Sequence, residues 1–148
     1  MNQKGAVWIW VVVAAGILLA GAGIWLYLNK DAGLVRPVEN QLAYLKKNDL
    51  NSAYQMTSNN FKNKTSYDQF SKTIKSYPIL TGYKNYSVVE KLSKSTRGCV
   101  QISLVSNTNQ KSTLFFGLDK QDKTWLVSVI LINPKTQTSC ESLFANVK

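Results

Sequence analysis

The chain is 148 residues long, with 18 Lys and Arg against 8 Asp and Glu, a formal charge of +10, two cysteines and no histidine. Without histidine, Ser-His and Cys-His nucleophiles are excluded. Two cysteines alone do not complete a closed zinc shell, and no glycine-rich loop followed by Lys and Ser or Thr is present to cradle phosphate.

Residues 6–28 form a run of 23 residues without a charged side chain. As a helix rising ~1.5 Å per residue it covers roughly 34 Å, enough to cross a bilayer with some tilt. A cleaved secretory signal peptide is the rival reading, because Lys4 gives a positive head and Ala20-Gly21-Ala22 resembles a cleavage site. The apolar run continues through Ile24, Trp25, Leu26, Tyr27 and Leu28, however. Cleavage after Ala22 leaves those side chains in water, so an uncleaved signal anchor is preferred. Trp8 and Trp10 near one end and Trp25 and Tyr27 near the other fit the aromatic belts at headgroup depth. Charge on the two flanks barely differs. The short head is the easier end to retain, which favours the amino terminus inside and the rest on the extracytoplasmic side, periplasmic or outer. Gly16, Ala20 and Gly23 form a small-residue stripe through which two spans can associate, although small residues are common in spans.

The resulting division is a cytoplasmic head (1–5), a transmembrane anchor (6–28), a linker (29–34) and one domain (35–148). Pro37 is expected to open the first helix, in which Val38, Leu42 and Leu45 recur on one face with Tyr44 alongside. The helix is expected to end near Asn48, and Asp49 to cap a short second one carrying Leu50, Ala53 and Tyr54. Asn59–Lys64 reads as a loop. Ser66 and Gln69 form a capping box that opens a third helix with Tyr67, Phe70 and Ile74 on one face, stopped by Pro78. The period then changes to two. Strands are expected over Tyr83–Leu92, Cys99–Val105, Thr113–Leu118 and Thr124–Ile132, the last apolar on both faces and therefore central or covered. Helices first and strands after argue for an α+β domain with three helices on one face of an antiparallel meander.

The phrase ENQLAYLKKNDLNSAYQMTSNNFKNKTSYDQFSKTI, followed by YSVVEKL, CVQISLV, STLFFGL and TWLVSVI, resembles nuclear transport factor 2-like domains over about Val35 to Ile132. The resemblance implies a curved sheet wrapped round the helices into a cone, often with a pocket at its open end. Members include isomerases and dehydratases, transport and scaffold subunits, and membrane-tethered extracytoplasmic domains such as a component of type IV secretion machines. Enzymatic relatives place a carboxylate inside the cone. Here the carboxylate well inside a predicted strand is Glu90, expected to face solvent beside Lys91, and no catalytic residue, cofactor or metal site is assigned. Tyr44, Tyr54, Tyr67 and Tyr77 are candidate pocket-lining residues, although aromatics on an apolar helix face are more often core.

Cys99 and Cys140 are read as one disulfide of an extracytoplasmic domain, with two separate buried thiols as the alternative. Cys99 has the strand phase opposite to Val100, Ile102 and Leu104, so its sulfur leaves the sheet on the side away from the helices. Cys140 then has to fold back over that face. The lysines are spread along the chain, as on solvated faces, with anionic headgroups as a weaker partner reading. Nucleic acid is not expected. The role expected is a membrane-tethered, non-enzymatic binding or scaffold domain partnered by other envelope proteins. A carrier or sensor of a small apolar ligand is the alternative, with an isomerase- or dehydratase-like enzyme behind both.

Overall fold

The computed structural model describes residues 32–135 and 139–145. The expected head, the span and its Gly16, Ala20 and Gly23 lie outside the described residues. Among the described residues, no helix is long and apolar enough to cross a membrane.

Helix α1 (Ala32–Lys46) buries Leu34, Val38, Leu42 and Leu45 along one stripe. It starts ahead of the expected opening, with Pro37 inside it and residues 32–34 of the expected linker already helical. The physical reason is Leu34, which packs where Gly98 of the sheet lacks a side chain. Burial of Leu34 holds the extra turn against the cost of Pro37, which removes the backbone bond to Gly33 and crowds that carbonyl. Asn48 then reverses the chain at φ 57°, a left-handed conformation that asparagine tolerates better than most residues.

Asp49 caps α2 (Leu50–Gln55), its carboxylate accepting the Ser52 N–H at 3.0 Å. The chain next runs along the outer edge of the sheet. Thr57 bridges Val127 in parallel, the Ser58 N–H donates to the Val127 carbonyl at 2.7 Å, and the Val127 N–H donates to Met56 at 3.1 Å. The loop expected at Asn59–Lys64 is instead helix α3, capped by Ser58, whose hydroxyl accepts the Phe61 N–H at 3.2 Å. Helix α4 (Tyr67–Lys75) carries the expected capping box, with both Ser66–Gln69 bonds formed and Phe70 and Ile74 buried. A one-turn helix, α5 (Ile79–Gly82), follows Pro78. Among the described residues, five helices therefore precede the sheet rather than three.

Strands β1 (Tyr83–Lys94), β2 (Arg97–Ser106), β3 (Lys111–Gln121) and β4 (Thr124–Ile132) form an antiparallel sheet in sequence order. Val100, Ile102 and Leu104 of β2, with Leu114, Phe116 and Leu118 of β3, face the helices and are buried in the main core. The alternate residues Cys99 and Phe115 face the other way into a second apolar cluster, completed by Cys140 on helix α6 (Cys140–Ala145). Strand β4 is covered rather than central. It lies at the end of the strand order, with Ile130 and Ile132 on the main core and Leu131 on the second cluster. Opposite β4 the register shifts between Gly117, paired with Val129, and Leu118, paired with Val127, which leaves Ser128 unopposed.

Candidate functional site

The face of the sheet turned away from the main core is organised by α6. Cys99 and Cys140 are joined, with S–S 2.09 Å and Cα–Cα 5.5 Å, inside the usual span for a bridge. Glu90 does not simply face solvent: its carboxylate accepts the Cys140 N–H at 2.9 Å and so satisfies a backbone donor at the start of α6. Lys94 pairs with Glu141 at 2.6 Å. Lys94 and Arg97 also stand over the Phe144 ring, 5.6 and 5.9 Å from its centroid. Leu143 and Phe144 complete the cluster with Leu92, Phe115 and Leu131.

Beside α6 lies a groove of about 590 Å³, within the range of small-molecule sites. Its floor is the outward face of β3 and β4, where Gly117 stands opposite Val129, with Leu131 beyond. Leu143 and Phe144 form one wall, and Asn60 and Lys64 of α3 form the other. Helix α3 reaches this side because the Met56–Ser58 edge segment delivers it beyond β4. At one end, Arg97 lies opposite Asp119 in register, and Asp119 accepts a hydrogen bond from the Asn60 amide at 3.0 Å. Among the described residues, the ion pair within 4.0 Å is Lys94–Glu141, so neither Lys64 nor Arg97 is neutralised at that distance.

None of the four tyrosines lines this groove, and of the four only Tyr54 and Tyr67 meet ring to ring. Tyr44 packs half-buried on the main core. Tyr54 donates its hydroxyl to the Thr65 carbonyl at 2.8 Å and meets Tyr67 and Phe70 at ring separations of 5.6 and 5.5 Å. Tyr67 is exposed, and Tyr77 lines a separate groove of about 490 Å³ near the β2–β3 turn. A third hollow of about 240 Å³, lined by Phe61, Phe70, Ile74 and Ile130, contains none of the four. Tyr86, which the sequence did not single out, donates to Glu39 at 3.2 Å. Burial and then the Glu39 charge push its hydroxyl pKa upward. Burial, and then Tyr86, does the same to Tyr83.

Among the described residues no carboxylate is buried, and no three His, Cys, Asp or Glu side chains gather as a metal site. The groove residues escaped the sequence reading because Lys64 looks like a surface lysine and Arg97 like part of a turn. The one local signal was Gly117, an isolated glycine in a strand, which often marks a close approach from outside the sheet.

Helices stacked on one face of a four-stranded antiparallel meander define a nuclear transport factor 2-like domain, and solved structures agree. The chain aligns with a provisionally assigned NTF2-like transpeptidase from Campylobacter jejuni at TM-score 0.50 and 18% identity, over 61% of this chain and 92% of that one. It aligns with an NTF-2 like protein of unknown function from Shewanella oneidensis MR-1 at TM-score 0.51 and 15% identity, over 68% and 96%. At these identities the likeness establishes the fold alone. By sequence the chain belongs to the family described as Domain of unknown function (DUF4864), matched over residues 28–140. No curated protein matches it.

Proposed function

We propose that the protein is a membrane-tethered, non-enzymatic binding or scaffold domain displayed outside the cytoplasm, working as a subunit of an envelope or secretion complex. The observation that carries this reading is the pairing of two features: an uncharged run over residues 6–28 and, beyond it, a domain whose two cysteines are joined. Disulfides persist in oxidising compartments, and a run of that length holds a protein to a bilayer by burial. The non-enzymatic part rests on the absence of histidine from the sequence and on the carboxylates. Glu90 and Asp49 bind helix-end N–H groups, Glu39 accepts from Tyr86, Asp119 from Asn60, and Glu141 pairs with Lys94. General-base carboxylates are instead tuned by burial, and none of these is buried.

The partners under this reading are the bilayer and other envelope proteins, with anionic headgroups drawn to a chain of net charge +10. The alternative, a carrier or sensor of a small apolar ligand, is favoured by one observation, the groove beside α6. That groove lies on the outer face of the sheet, not in a cone formed with the helices. A reporter active only outside the cytoplasm tests the tether: fused after Lys148 it should work, and fused after Gln3 it should not. The reverse pattern would overturn both the orientation and the compartment argument.

A further inference from the structure

The geometry points to the groove between α3 and α6 as a binding site for a single-chain carboxylate amphiphile, a medium-chain fatty acid. This rests on the reading of the domain as a binding module and adds the chemistry of its ligand. Two properties of the groove sit at opposite ends of the same floor. Arg97 and Asp119 lie opposite each other at one end, and Leu131, whose register partner is the buried Phe115, lies at the other. Asp119 and Phe115 are four positions apart on β3, a run of roughly 13 Å.

The far end is apolar: Leu131, Leu143, Phe144 and Val129 line it, and Gly117 contributes no side chain to fill it. The lining as a whole carries two cations, Lys64 and Arg97, against one carboxylate, Asp119, which the Asn60 amide already engages. Arg97 is held over the Phe144 ring, so its guanidinium is placed where the apolar wall begins. An apolar floor whose charged lining is net positive complements a molecule with an anionic head and an alkyl tail. It does not complement a neutral hydrocarbon, which leaves both cations unanswered, or a peptide, whose backbone groups find no partners along an apolar floor.

The site is built from five separate elements, and its apolar wall is present because the disulfide, Glu90 and Lys94 hold α6 on the sheet. The carboxylate is therefore expected to lie at Arg97, where the Phe144 wall begins, and the chain to run past Val129 toward Leu131.

The test uses the full chain in phosphatidylcholine nanodiscs and a diazirine-bearing decanoate, with the labelled positions mapped by mass spectrometry. Labelling is expected on the peptides carrying Val129–Leu131 and Leu143–Phe144, and competition by unlabelled decanoate should remove it. Lys64→Gln, an exposed substitution on α3, should lower labelling about threefold at subsaturating probe, the effect of one partly screened charge. Shortening the competitor to octanoate should weaken competition about tenfold, the loss of two buried methylenes. The corresponding diazirine-bearing alcohol should label these peptides several-fold less. Equal labelling by acid and alcohol, insensitivity to Lys64→Gln, labelling centred on the Tyr77 groove, or no competable labelling each overturns the assignment. Competition by phosphatidylglycerol nanodiscs that equals competition by decanoate overturns it too, in favour of a lipid headgroup. None of these outcomes depends on the topology reporter, so the ligand and the tether fail separately.

Discussion

Replacing Cys99 and Cys140 together by alanine removes a cross-link between residues 41 apart in sequence, closing a loop that runs from β2 through α6. Loop-closure entropy for about 41 residues gives an upper value of ~4 kcal/mol at 25 °C. The domain that feels the change is the unit Gly33–Lys148. At ~2.1 cal/mol/K per residue, an unfolding entropy for about 116 residues turns that loss into a midpoint lowered by roughly 16 °C. Thermal unfolding of the oxidised protein should therefore lie well above that of the double variant. A reductant should bring the wild type down to the variant and leave the variant where it was. Limited proteolysis of the reduced protein should then cut within 139–145, because α6 keeps only the Glu90 and Lys94 contacts and the Leu143 and Phe144 packing. Midpoints within about 2 °C of each other for wild type with both thiols titrated free and wild type oxidised would refute the reasoning, since the entropy argument predicts several times that difference.

Three further substitutions probe the packing and the caps. At Gly98, a β-carbon overlaps the buried Leu34 side chain with Trp125 Cζ3 at 3.4 Å, so Gly98→Ala should cost ~1–3 kcal/mol in urea unfolding. Gly117→Ala overlaps Val129, which is only half-buried and free to turn; its loss should be the smaller of the two, and the opposite ranking would contradict the described packing. Asp49 is held below its usual value near 3.8 chiefly by its bond with the Ser52 side chain, then by the Ser52 N–H. The stability it adds is present in full above the unfolded value and lost as pH falls through the lower folded one. Asp49→Asn, which cannot ionise, should lose that contribution on the neutral plateau and flatten that part of the acid limb, read from urea midpoints from neutral pH down through the acid range.

The parts of the fold that were legible are those with a local cause. Ser66 and Gln69 announced α4 because a capping box is a four-residue event. Cys99 announced the covered outer face because strand phase is a two-residue event, and only Cys140 was available to meet it. What escaped depended on distant partners. Helix α3 has no apolar period, only the Ser58 cap and Phe61, and its position comes from the parallel bridge to Val127. The start of α1 was misplaced because Leu34 is stabilised by a gap at Gly98, sixty-four residues on. The groove was illegible for the same reason: Lys64, Arg97, Gly117 and Phe144 belong to four elements, and none has a reading of its own that names the others.

The Met56–Ser58 segment seals one margin of the sheet, and the opposite margin is left in a different condition. Among the described residues no strand pairs with the far side of β1, a twelve-residue strand exposed along most of its length, with Val89 among its most exposed apolar residues. A long open margin is a template on which a second molecule can add itself by backbone bonding. Two features of β1 blunt it: the pairing with β2 slips at Tyr83/Asn85 and at Val88/Glu90, and Lys84 and Lys91 put like charge on any two copies laid side by side. That defence is electrostatic and short-ranged, so salt thins it within a distance of about 8 Å at physiological strength. Edge-to-edge pairing of two copies is opposed, then, by like charge along β1 and by backbone bonding along β4, and high salt weakens only the first.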